Sequence, residues 1–243
     1  MATLAGDHTQ VLVGGYDLTG DHNKVSVDDS RVLHDQTAFG DAVHNFLHGQ
    51  RNMVLTHGGY LNAAAGRSHP VLKANGLEGI VSVLVGQNAD PAVGDPVYSL
   101  STRQYQYSSA PEVNGVIPFG ATFGNQGLAG GWGEALAPPV SFTNSTNGSA
   151  VDNGAASSSG GAAFLHILGA AASDTYTITV EESATGSFSG EESTLATFTL
   201  DASAVGAERI AIATSIARYS RFKAVRSGSA GDTVQIAVSL IRF

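Results

Sequence analysis

The sequence predicts a mainly β protein, built as a sandwich or partly closed barrel with one or two short helices. Three observations carry that prediction. Short runs alternating apolar and polar residues, such as Thr175–Glu181, recur along the chain between clusters of Gly, Asn, Asp and Pro. Thirty glycines suit tight turns, and only 14% of residues are charged, against roughly 25% in an ordinary domain. With 42% hydrophobic residues over 243 positions, there is ample material for a packed core.

In chain order, Val25-Ser26-Val27 alternates as a strand, and Asn52–His57 has the length and composition of another. Between them Phe39, Val43, Phe46 and Leu47 recur at i, i+4, i+7 and i+8, so the spacing predicts a helix of about three turns. Thr37 or Asp35 would cap its start and Gly49 would end it. In this reading Phe39 is the buried anchor of the turn, and Thr37 or Asp41 bonds backbone amides near the helix start. Ile80–Val85, then Val97–Leu100 continuing into Arg103–Tyr107, then Val113–Phe119 read as further strands. They complete a first unit over residues 1–123.

Residues 124–161 change character, with Gly, Ala, Ser and Asn dominating. They read as a flexible linker or as ordered loops and a hairpin, with Trp132 as a local core plug. From 162 to 243 the β pattern returns, as a second domain or the second half of the same sandwich. Strands are expected at Ala162–Leu168, Thr175–Glu181, Thr194–Leu200, Arg209–Thr214, Ile216–Arg226 and Thr233–Phe243.

The residues give little support to catalysis. With no cysteine, neither a disulfide nor a thiolate metal site can form. His44 and His48 are four apart on the expected helix, a spacing that can bind metal, but no third ligand is identifiable and Asn45 stands where a zincin needs Glu. No G-x-S-x-G elbow, G-x-G-x-x-G or Walker spacing occurs. Acids paired in sequence, such as Glu181-Glu182, would point to opposite faces of a strand. No catalytic, cofactor-binding or metal residue is therefore assigned, and an enzyme is not expected.

The ordered segment from Tyr16 to Leu61 is more specific. Asp17-Leu18-Thr19 opens it, Thr37-Ala38-Phe39-Gly40-Asp41 forms its turn, and Gly58-Gly59-Tyr60 closes it. This order resembles the N-terminal half of the major tail (tail-tube) proteins of long-tailed bacteriophages, with a looser likeness at Ala217–Phe222. The resemblance implies a virion protein, made in the host cytoplasm, that polymerises into stacked rings around a channel for genomic DNA. Its partners would be itself and other tail proteins. A pattern shared by Thr37–Asp41 and Thr197–Asp201 raises the idea of a duplicated domain and a trimeric ring, but few identities support it and coincidence accounts for them better.

Charge fits a conduit. A net charge of −9 argues against a phosphate-gripping surface and would repel DNA from a channel wall, although acidity for solubility accounts for the charge at least as well. No secretory signal or membrane span is expected from the pattern. Near the C-terminus Arg209, Arg218, Arg221 and Arg226 follow a block containing Glu181, Glu182, Glu191 and Glu192. These eight are candidates for contacts between subunits, and pairing across strands of one chain is an equal alternative. Two rival readings share the composition: a capsid decoration protein, and a carbohydrate-binding or adhesive module using Trp132, Tyr105 and Tyr107.

Overall fold

The computed structural model describes residues 6–74, 78–87, 89–113 and 115–243. The strands are β1 (Thr9–Val13), β2 (Tyr16–Asp17), β3 (His22–Asp35), β4 (Phe46–Tyr60), β5 (Glu78–Val85), β6 (Pro96–Ser109), β7 (Pro118–Asn125) and β8 (Gly131–Phe142). They continue with β9 (Thr146–Asn147), β10 (Val151–Asp152), β11 (Gly161–Gly169), β12 (Thr175–Ser183), β13 (Ser193–Thr197), β14 (Gly206–Ile212), β15 (Tyr219–Ser227) and β16 (Val234–Arg242). Among the described residues one short α-helix, α1 (Ser68–Leu72), lies between β4 and β5. No described helix is long and apolar enough to cross a membrane.

One large sheet curls into a half-barrel and branches at β6. The first residues of β6 pair with β8, which leads on through β16 and β11 to β14. Its later residues pair with β7, then β4, then β3. The opposite edge of β6 holds β5, then β1 and β2. A second, smaller sheet contains β13, β12 and β15, with β9 and β10 on the free edge of β15.

Two main cores result. Val11, Met53, Leu55, Val81, Val83, Tyr98, Leu100, Phe119 and Phe123 fill the N-terminal unit beneath α1. Leu136, Leu165, Ile167, Tyr176, Ile178, Phe222, Ile236 and Leu240 fill a sandwich between the smaller sheet and the β8–β14 limb. The curl brings the far side of that limb back against β1 and β5, where Leu12, Leu84, Val97, Ala135 and Ala237 meet, beside Ile80, Ala162, Phe164 and Ile241. Strands β5, β11 and β16 are covered on both faces, which is why their sequences run apolar without alternation.

The seam also buries a polar chain. His166 Nδ1 accepts from the Gly15 amide at 3.3 Å, so its Nε2 carries the proton and donates to Ser82 Oγ at 2.9 Å. Ser82 and Ser99 are 2.7 Å apart, and Ser99 and Ser239 2.9 Å. Four elements are thereby tied at one point, and burial pushes the His166 imidazole down to about 3.

The mainly β class expected from the sequence is the class observed. Residues 124–161 contain β8, the strand that joins the two units, and the short β9 and β10. Of the segment Val113–Phe119, expected as a strand, only Pro118 and Phe119 belong to one, as the start of β7, which runs on to Asn125. Thr37–Asp41 and Thr197–Asp201 occupy dissimilar settings, a hairpin loop and the exit from β13.

Candidate assembly surface

The helix expected after Thr37 is absent. Residues 46–52 extend β4 and pair with β3, so Asp35 faces Phe46, His34 faces Leu47 and Leu33 faces His48. The result is a long two-stranded arm closed by a loop over 36–45. Local polar bonds explain the outcome. The Asp35 carboxylate accepts the amide of Thr37 at 2.9 Å and its hydroxyl, and Thr37 Oγ1 accepts the Asn45 amide at 3.0 Å. Asp41 Oδ2 accepts the Ala38 amide at 2.8 Å. These side-chain bonds offer the backbone an alternative to a helical turn. A helix this short would also have needed a core to cover its apolar face, and none lies beside it.

Phe39 is therefore not a buried anchor; it is fully exposed at the tip. Val43 is exposed beside it, and Val32, Leu33, Phe46 and Leu47 are about half exposed along the arm. His44 sits in the tip loop with Nδ1 3.2 Å from Asp35 Oδ2, while His48 lies on β4 opposite Leu33, so the two do not share a helical face. Among the described residues no group of three or more His, Asp or Glu is placed to hold a metal.

The arm is fixed at its neck. Arg51 Nε donates to Asp29 Oδ1 at 2.6 Å, and Arg51 Nη2 bonds the other carboxylate oxygen. The remaining Arg51 nitrogen donates to the Gly130 carbonyl at 3.2 Å, and Tyr98 Oη reaches Asp29 at 3.4 Å. The guanidinium holds Asp29 below the usual carboxylate range. A bidentate pair of this kind fixes direction as well as distance. Sequence reasoning missed this clamp because Asp29, Arg51 and Gly130 are far apart in the chain.

Beside the arm, β1 and β3 face each other across an open groove of about 640 Å³. Val11, Val25, Val27, Val83 and Val85 line it, and Trp132 stands at one end. Among the described residues β3 pairs with no strand but β4, so its other backbone edge is unpaired there.

The eight charged candidates of the second half are each engaged within the chain. Arg221 donates to Glu181 at 2.8 and 3.0 Å beneath the Phe188 ring, and Lys223 reaches the other Glu181 oxygen at 2.8 Å. Arg218 makes a two-pronged contact with Asp152 at 2.6 and 2.7 Å, which holds that carboxyl at about 2. Arg226 donates to the Thr143 and Gly228 carbonyls, with Asp174 3.6 Å away. Arg209 donates to the Ala129 carbonyl and lies over Phe164. Glu182 accepts from Ala217 N and Ser193 Oγ, Glu191 from Ser183 and Thr185, and Glu192 from the Gly190 amide.

The aromatic residues of the adhesive reading do not gather. Trp132, half exposed and not a core plug, meets Tyr98 edge-on, whereas Tyr107 bonds His69 at 2.9 Å and packs on Phe119.

No protein-family model matches the chain, and no curated protein matches it in sequence. Several solved structures overlap it, among them the three that follow. A chain of the native gene transfer agent (GTA) virion covers 54% of this chain and 98% of its own length, at 13% identity and a TM-score of 0.44. A chain from the tail of the empty GTA particle covers 52% and 96%, at 16% identity and a TM-score of 0.41. The SPP1 Dit protein, described as a hub adsorption apparatus of phages infecting Gram-positive hosts, covers 96% and 99%, at 10% identity and a TM-score of 0.37. All three overlaps are distant, and all are with components of virion, tail or hub assemblies.

Proposed function

We propose that this chain is a structural protein of a phage tail, and that copies of it assemble into stacked rings forming the tail tube. One observation carries the assembly reading. The arm projects six large apolar side chains that are half exposed or more, held in one direction by the Arg51–Asp29 clamp. Apolar surface of this kind, on a long strand edge, is either covered by another subunit or an aggregation hazard. The resemblance of Tyr16–Leu61 to tail-tube proteins supplies the identity of the assembly.

Burying half of the arm's apolar surface against a neighbour stabilises each contact, and repetition around a ring multiplies it. The sandwich arginines, satisfied at home, leave few free cations for a passing phosphate. With −9 on each copy, a lumen would repel DNA and let it slide.

Replacing residues 32–50 with Asn-Gly tests this, because a two-residue turn closes the shortened hairpin while Asp29 and Arg51 remain. Wild-type protein at high concentration, or added to an initiating tail tip, should form rings or tubes of uniform width by negative-stain microscopy. The shortened protein should remain a folded monomer. A wild type that coats preformed capsids but never self-associates would instead identify a decoration protein.

A further inference from the structure

In the three-stranded region from which the arm extends, two histidines meet, one fully and one partly buried. His57, on β4 between Val25 of β3 and Ala121 of β7, is fully buried, and among the described residues neither ring nitrogen has a hydrogen-bond partner. His22 begins β3 and stands edge-on to His57, with ring centroids 5.1 Å apart. Its Nδ1 donates to the Leu18 carbonyl at 2.7 Å, which leaves the buried Nε2 as a lone acceptor. Phe119 packs on His22 and Phe123 on His57.

We propose that this histidine pair is an acid-sensitive latch on the base of the arm, closed when both rings are neutral and opened when either takes a proton. This rests on the reading of the arm as the assembly element, and it names how that element is regulated. A proton on either ring creates a cation in a slot walled by two phenyl rings, where charge is poorly solvated. The charges of Asp21 and Asp17 favour a proton on His22, but burial outweighs them, and neither carboxylate is placed to bond the ring. Asp21 is committed to the Asn62 amide group and the Ser68 backbone amide, each at 2.9 Å. Asp17 accepts the amide and hydroxyl of Thr19. Beyond Phe119, Tyr107 is bonded to His69. A second proton would then be repelled by the first.

Relief comes from separating β3 and β4 within the three-stranded region from which the arm extends, which lets water reach the rings. Burial accordingly lowers both histidines, His57 to about 3. The neutral, closed form is thus the resident one above the ordinary histidine value of 6.5, and the drive to open grows as pH falls below it.

Hydrogen–deuterium exchange of the full-length, unassembled protein from pH 7.5 to 4.5, corrected for intrinsic rates, reads the latch directly. Amides of 22–27 and 53–60 should open at least tenfold more on acidification than amides of β12 and β15. His57→Phe should abolish that difference, and His22→Phe should reduce it. The second variant stands in if the first does not fold, since His22 lies nearer the surface. Equal opening of both regions, or an unchanged difference in the folded variants, would overturn the latch. Because exchange is read on single protomers, that failure would leave arm docking untouched; docking fails separately, if the arm replacement still assembles at pH 7.5.

Discussion

The C-terminal sandwich and the N-terminal arm are both built from paired β-strands, yet they dispose of their reactive surface in opposite ways. In the sandwich, the cationic strand β15 is neutralised where it stands: Glu181, itself buried, sits between Arg221 and Lys223. In the arm, Phe39, Val43, Phe46 and Leu47 project from two strands that no third element covers. A two-stranded ribbon has no interior, so its apolar side chains have nowhere to go within the protomer. A sandwich has one, and its surface charges then settle onto each other. Both halves hold a packed core, and the large apolar side chains free for a partner gather on the arm of the first.

The sharpest way to break that contrast is to truncate matching aromatic residues. Phe222, buried between the two sheets, should lose about 3–5 kcal/mol of stability on conversion to alanine. Thermal denaturation would show it as a large drop in Tm. A drop of a degree or less would mean that the sandwich core is not the source of stability.

Glu181→Gln comes next. It leaves Arg221, whose side chain is only 13% exposed, facing a neutral amide. Breaking a buried pair costs about 3–5 kcal/mol, and because Lys223 still reaches water we expect about 2–3 kcal/mol here. Urea titration would measure it, and recovery of the loss in an Arg221→Met, Glu181→Gln double variant would show that the cost lies in the stranded guanidinium and that the pair itself contributes little.

Mild acid should act in both regions but through different histidines. His57 and His166 have folded values of about 3 against an ordinary 6.5, so the unfolded chain takes up protons that the folded one refuses. Stability is therefore complete above pH 6.5 and falls as pH drops from there toward 3. At pH 5 each histidine should remove about 2 kcal/mol. For His166 the loss falls on the seam, where a protonated Nδ1 can no longer accept from Gly15. Denaturant midpoints equal at pH 7 and pH 5 would contradict this.

The smallest effect on folding should come from Phe39→Ala, within about 0.5 kcal/mol of wild type, as for other exposed positions. The same change should weaken self-association measurably in sedimentation velocity. If it instead lowered Tm as Phe222→Ala does, the arm would be packed against its own protomer.

Much of the fold was legible in the residues. Alternation in Thr175–Glu181 marked β12, and the mostly apolar runs Ile80–Val85 and Ala162–Leu168 marked β5 and β11 as strands. The arm was not. Phe39, Val43, Phe46 and Leu47 satisfy helical periodicity, but the same residues sit as readily on two strands and a loop, and short apolar runs do not separate the two. What decided was Asp35 closing a turn on Thr37, and β3 offering β4 a pairing edge beyond Met53. Nor could Gly131–Phe142 be read as the strand that joins both units, since its alanines, glycines and prolines have low strand propensity and are held by β16 and β6 on either side.

By itself the sequence determined the class: β periodicity, abundant turn residues, no cysteine chemistry, and an acidic balance that disfavours nucleic-acid binding. Only the tertiary structure decided which of the many polar residues meet. Asp29 and Arg51 lie 22 positions apart, Arg51 and Gly130 79, and Gly15 and His166 151. Local propensity is a property of neighbours in sequence. Clamps, buried pairs and an uncovered arm arise from where the strands cross, and that is set by packing over the whole chain.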